Sequence, residues 1–412
     1  MLDNGKAEGA RKIKQIEKYC LRDIAIVSQG FTFSRSYQGK KNLKWNYFKV
    51  ADIGINPNSK YLTNAINTIS DITMEEIGAL PFPKGSIVFP RVGAALFNNN
   101  KKILAQDGVV DDNVLVLTVT DTSKCWYEFL YYYLQGIPLA KWCNSGLVPV
   151  INTKTVLSQM VFLPPLPEQQ KIAAILSTQD KVIELKEKLL AQKQQQKKYL
   201  MQQLLTGKLR LPDVKGEWTS VKLKELLIER NEKNVEQNHR ICSVAVSKGV
   251  VDQIEHLGRS YAAADTSNYG VAHYGDIIYT KSPTGDFSLG IIKQNHMREN
   301  VAISPLYGIY KPISFSTGYL LNIYFESTIN TKNYLTPIVQ KGAKNTIAIS
   351  NSAFLENKIF FPMDEATQSR IAKVFELTDH EIDLLHKSIE AEKQKKKALM
   401  QLLLTGKVSV RI

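Results

Sequence analysis

The chain has 412 residues, 44% of them hydrophobic, and a formal net charge of +14. That length suggests two or three domains with real cores, and that charge favours a polyanionic partner, nucleic acid before an anionic membrane surface. Four scattered cysteines (Cys20, Cys125, Cys143, Cys242) form no C-x-x-C pair, no apolar run is long enough for a bilayer, and the polar N-terminus has no h-region, so a soluble cytoplasmic protein without zinc ribbon, disulfide framework or membrane span is expected.

Residues 1–19 are polar and read as an extension. From residue 20 to 163 short β-rich runs, at 48–53, 86–89 and 114–119, are separated by Gly, Asn and Asp. The aromatic run 125–134 reads as a buried helix, because an apolar stripe at helical spacing is more often core than a base-stacking surface. A last strand is expected at 161–163. The loop 91–102 carries Arg91, Asn98, Asn99, Asn100, Lys101 and Lys102, the residue types that reach phosphates and base edges, and these are candidate DNA contacts.

The stretch 164–211 opens with Pro164, Pro165 and Pro167, runs without Pro or Gly to Leu205, and stops at Gly207. Prolines before a helix and Gly after it are the expected punctuation. A helix over 167–206 is about 60 Å long at ~1.5 Å per residue, too long for one element of a compact domain. After a linker at 211–218, a second globular unit at 217–361 repeats anchor segments of the first: 274–279 mirrors 84–89, 342–347 mirrors 146–151, and 359–362 mirrors 162–164. Here the candidate contacts are Lys281 and Ser282, in the loop after Tyr279, and Lys344 and Asn345. The segment 362–412 then repeats the long helix, 199 residues on: Gln169 matches Gln368, Asp180 matches Asp379, and Leu-Leu-Thr-Gly-Lys ends both.

Apolar residues seven apart, Leu176, Ile183 and Leu190, recur as Phe375, Ile382 and Ile389. A seven-residue period asks for a partner helix, so the two stripes are expected to face each other. The fold class is mixed α/β (α+β): two globular domains, joined by two long antiparallel helices, with an internal pseudo-twofold repeat.

Catalytic signatures are absent from the sequence: there is no G-x-x-x-x-G-K-[ST], no H-E-x-x-H, no G-x-S-x-G, and no Asn-Pro-Pro-aromatic loop of an amino-methyltransferase. No catalytic residue and no metal ligand is assigned.

Two dissimilar globular units, each followed by a near-identical long helix, resemble the specificity (S) subunits of type I restriction-modification systems. The run Leu-Pro-Pro-Leu-Pro-Glu-Gln-Gln-Lys-Ile-Ala at 163–173 and the Leu-Leu-Thr-Gly-Lys ends are similar to that family's repeat regions, and the resemblance spans the chain. It departs at 362–368, where the Pro-Pro-Leu-Pro-Glu run is missing. The resemblance implies that 20–163 and 217–361 are target recognition domains reading the halves of a bipartite, asymmetric double-stranded DNA site. It implies helices that fix the spacing and dock two modification (M) subunits, with restriction (R) subunits beyond. S-adenosylmethionine, ATP and Mg would belong to those partners, with no cofactor in this chain and no membrane role. Two other readings stand beside it: a self-contained nuclease or methyltransferase with diverged motifs, and a coiled-coil adaptor without a DNA role.

Overall fold

The computed structural model describes residues 16–55, 59–144, 146, 148–212, 216–341 and 347–410. The chain divides into two compact units, one of residues 1–189 and 385–412, the other of residues 190–384. Each contains one globular domain and part of each long helix.

The first long helix, Leu166–Leu204, has 39 residues and the second, Glu365–Leu404, has 40. The first is entered through Pro165, whose carbonyl accepts from Glu168 N and Gln169 N at 2.9 and 3.1 Å. The second lacks the proline run; the Asp364 carboxylate instead accepts from Thr367 N at 2.8 Å, as an N-capping side chain does. Both helices stop the same way. Gly207 and Gly406 lie in the left-handed region at φ +69° and +71°. Leu209 N and Val408 N then reach back to the carbonyls of Gln203 and Leu402 at 3.0 and 3.2 Å. A glycine just past the helix end takes this conformation without steric cost.

In the first unit a five-stranded sheet runs in the order Ala25–Gln29, Val114–Val119, Ile87–Pro90, Lys102–Leu104, Tyr61–Leu62. In the second unit a four-stranded sheet runs Leu227–Glu229, Gly308–Pro312, Ile277–Tyr279, Ile292–Gln294. The first four strands correspond one to one. The companion sheets correspond as well: Trp45–Phe48 pairs in parallel with Val109–Val110, and Arg240–Ala245 pairs in parallel with Val301–Ile303. The duplication therefore continues through both domains, where side chains have diverged but strand order has not.

Each domain is closed by a two-stranded ribbon, Glu17–Cys20 with Met160–Leu163 and Trp218–Lys222 with Lys358–Pro362. Residues 17–19, expected in an N-terminal extension, are thus paired inside the first domain; residues 1–15 of that expected extension, and residues 213–215 of the linker, lie outside the described residues. The expected strand at 48–53 is corrected too. A strand Trp45–Phe48 ends there and a short helix, Val50–Ile55, follows. The Asp52 carboxylate accepts from Lys49 N at 2.7 Å and from Ile66 N at 2.8 Å, so local capping outweighs the β-like composition. The aromatic helix, Tyr127–Gln135, is core as expected, with Phe129, Leu130, Tyr132 and Leu134 fully buried.

The long helices pair antiparallel in each unit. In the first, Gln179 Nε2 donates to the Glu392 carboxylate at 2.7 Å, and Lys186 and Lys393 bridge to Glu392 and Glu187 at 2.7 and 2.8 Å. In the second, Lys193 bridges to Glu381 at 2.8 Å. The antiparallel direction is the one expected, and it corrects the stripe pairing at the ends, where Leu176 and Phe375 do not meet. Leu176 shares its core with Leu403, Leu399 and Met400, while Phe375 shares its core with Leu204, Leu200 and Met201. Two antiparallel copies put the start of one helix against the end of the other, so equivalent positions do not meet. Ile183 and Ile389 are buried in the first unit; Leu190 and Ile382 are half-buried in the second.

Candidate nucleic-acid interface

The loop after strand Ile87–Pro90 is built more tightly than its composition suggests. Arg91 is half-buried, and its guanidinium Nη1 donates to the Asp112 carbonyl at 3.2 Å. Asn98 is exposed and Asn100 half-buried. Asn99 has φ +54°, and its Oδ1 accepts from Leu139 N at 2.9 Å and from Lys101 Nζ at 2.6 Å. An asparagine tolerates this left-handed conformation better than most residues, so its side chain is a clip for the loop.

Lys101 and Lys102 are each 2% exposed. Lys101 Nζ also donates to the Ile137 carbonyl at 2.9 Å, and Lys102 Nζ donates to the Ser59 carbonyl. Burial pushes the Lys101 ammonium down to about 7. Burial, with Lys396 nearby, pushes Lys102 down to about 8. These two lysines face the interior, which corrects the expectation that they contact phosphates: strand Lys102–Leu104 is an inner strand, between Ile87–Pro90 and Tyr61–Leu62.

In the second unit Lys281 takes the place of Arg91, two residues past the end of the equivalent strand Ile277–Tyr279. It is half-buried at φ +55°, and burial lowers its pKa. Gly290 allows that path, because a Cβ there would lie 2.9 Å from Lys281 N. Ser282 is exposed. Lys344 and Asn345 lie outside the described residues.

Another basic loop, at residues 34–44, escaped attention in the sequence. It reads SRSYQGKKNLK, with four cations and no acid. Arg35, Lys40, Lys41 and Lys44 are all exposed. The loop is pinned to the neighbouring strand by Gly39 N to Asn67 Oδ1 at 2.8 Å and by Leu43 N to Thr68 Oγ1 at 3.0 Å. Lys44 is paired with Asp71 at 2.8 Å, and Lys40 lies over the Tyr37 ring at 5.6 Å from its centroid. The signal was a run of one sign of charge, readable without a structure. A pinned, exposed, wholly basic loop carrying Tyr37 and Gln38 has the chemistry of a phosphate and base contact.

Among the described residues no group of three or more His, Cys, Asp or Glu could hold a metal ion, and no helix is long and apolar enough to cross a membrane.

Residues 13–194 match the family described as "Type I restriction modification DNA specificity domain". A specificity subunit of the type I restriction enzyme MjaVIII from Methanocaldococcus jannaschii is 25% identical over 202 residues, 47% of this chain and 46% of that protein. The match thus spans about half the length of this curated relative. The crystal structure of a type I restriction-modification S subunit from M. genitalium superposes with a TM-score of 0.60 at 13% identity, covering 96% of this chain and 97% of the other. A chain from a structural study of assembly and conformational transition in a type I system superposes at 0.52 and 13% identity, covering 94% and 97%. The chain has the fold of these specificity subunits.

Proposed function

We propose that this chain is the specificity subunit of a type I restriction-modification complex, acting in the cytoplasm without catalytic chemistry of its own. Each globular domain reads one half of a bipartite double-stranded DNA site. The paired helices dock two M subunits, which methylate adenine with S-adenosylmethionine, and R subunits add ATP-driven cleavage. The observation that carries this reading is the duplication itself: one strand order and one helix, present twice, under loops that differ. A duplicated scaffold with unlike loops suits a reader of two unlike half-sites.

In the first domain the contacts are Arg35, Lys40 and Lys41, together with Arg91 and Asn98; in the second, Lys281 and Ser282 lead. Phosphate contacts supply most of the affinity, and a few base contacts supply the specificity. The test is reconstitution. The purified chain alone should turn over no S-adenosylmethionine, ATP or DNA. Added to M subunits, it should direct methylation to adenines in one bipartite motif. Turnover by the chain alone, or methylation without a motif, overturns the reading.

A further inference from the structure

Two carboxylates of the long helices sit in matching surroundings. In the first unit, Asp180 Oδ2 accepts from Tyr132 Oη at 2.6 Å, and Asp180 Oδ1 pairs with Lys396 Nζ at 2.5 Å. In the second, Asp379 Oδ2 accepts from Tyr319 Oη at 2.8 Å, and Asp379 Oδ1 pairs with Lys197 Nζ at 2.7 Å. Asp180 and Asp379 are repeat equivalents, and so are Lys197 and Lys396, each pair 199 residues apart. Tyr132 and Tyr319 stand on the corresponding domain helices, Tyr127–Gln135 and Phe315–Phe325. A fourth member recurs: the strand lysines Lys102 and Lys293 are buried, each close enough to its unit's latch lysine for the two charges to repel.

We propose that these two clusters are latches that set how each domain is held on its helix pair, and so aim its reading loops. Three elements meet at one carboxylate. The domain helix supplies a hydroxyl, one long helix the carboxylate, and the other long helix the ammonium. The two oxygens have separate donors, so a rotation of the domain on its helix pair breaks the tyrosine bond, and a shift of one long helix against the other breaks the lysine pair. The cross-helix pairs made by Lys186, Lys193 and Lys393 do not recur: the repeat equivalents of those lysines are Leu385, Glu392 and Gln194. What recurs is the contact that includes the domain. Lys197 also bridges Glu326 at 2.8 Å, and despite the cost of burial Glu326 and Asp379 hold it protonated above the ordinary lysine range. Both tyrosines are pushed up by burial and by their aspartates, so the hydroxyl remains a donor across the working range of pH.

The inference rests on the reading under Proposed function, and adds a rule for exchange: an incoming domain reads its half-site only if it brings the tyrosine hydroxyl. The experiment uses the full chain in complex with its M subunits. Tyr132→Phe, Tyr319→Phe and Lys396→Met are compared with the parent for methylation of the cognate site and of sites altered in one half. Lys396→Arg serves as the conservative control. Loss of a hydrogen bond to a half-buried charge should lower the cognate rate about tenfold. Discrimination should fall in one half-site for Tyr132→Phe and Lys396→Met and in the other for Tyr319→Phe, with Lys396→Arg close to the parent. Discrimination unchanged in both halves, with only a lower melting temperature, means the latches are merely structural and overturns the proposal. Equal loss in both halves from each variant overturns it too. A parent complex that recognises no bipartite motif defeats the underlying function instead, and that result is read from the parent alone.

Discussion

At the scale of single residues, Lys101 shows how charge in a sequence differs from charge on a surface. Its ammonium is held by Asn99 and the Ile137 carbonyl, and it titrates at about 7. An unfolded lysine titrates at about 10.4. Between those values the unfolded chain binds more protons than the folded one, so stability rises with pH across that window; below pH 7 the group is charged in both states and its cost is complete. Lys101→Met should flatten the pH dependence of melting between pH 7 and 10, by up to about 1.4 kcal/mol per pH unit. An unchanged slope would mean the ammonium is hydrated. Lys40 and Lys41 behave oppositely, being exposed on a loop with no acid. Changing both to alanine should weaken binding to every DNA sequence alike and reduce the salt slope by about two. The same double change at Lys101 and Lys102 should leave that slope as it was. The sequence could not separate these pairs, because both read as adjacent lysines in polar loops. Only strand order shows that one pair leads into an inner strand.

At the scale of elements, the long helices were legible in detail and their partners were not. Proline entry, glycine exit and a seven-residue stripe are local signals, and both helices lie within a few residues of where those signals put them. Which stripe residues touch is a long-range question. Once two equal helices run antiparallel, Leu176 meets the far end of the second helix and not Phe375. The buried Gln169 was legible only as part of a motif. Its side-chain amide donates to the carbonyls of Lys124 and Pro164 at 2.7 and 2.8 Å, and its oxygen accepts from Trp126 N at 2.9 Å. It joins the helix start to the start of the aromatic helix. Gln368 repeats the role, accepting from Thr317 Oγ1 at 2.6 Å and donating to the Pro362 carbonyl at 2.8 Å. Ile183 is 7% exposed and Leu185, two residues on, is 53% exposed. Ile183→Asp buries an unpaired charge and should cost about 3 kcal/mol or more; Leu185→Asp should cost within about 0.5 kcal/mol. Thermal melting of the two variants checks this, and equal shifts would contradict the assigned face.

For the whole molecule the question is where a domain begins and ends, since a reader built twice invites exchange of its halves. Composition suggested a boundary at Cys20. The ribbon moves it. Glu17 pairs with Leu163, Lys18 with Phe162, Tyr19 with Val161 and Cys20 with Met160, so the strand that opens the domain and the strand that closes it form one unit. Replacing residues 17–163 with the matching segment of a related chain transfers both strands together and leaves the long helices intact. Replacing 20–163 pairs native Glu17, Lys18 and Tyr19 with a foreign closing strand, where cross-strand side-chain pairs no longer match, at about 0.2–1 kcal/mol for each pair. The 17–163 exchange should therefore melt near the parent, and the 20–163 exchange lower. In complex with M subunits, both should methylate a motif in which one half is new and the other is the parent's. Sequencing the methylated adenines of each chimera decides the matter. If both halves of the motif change together, the two domains do not read independently, and duplication of the scaffold serves assembly alone.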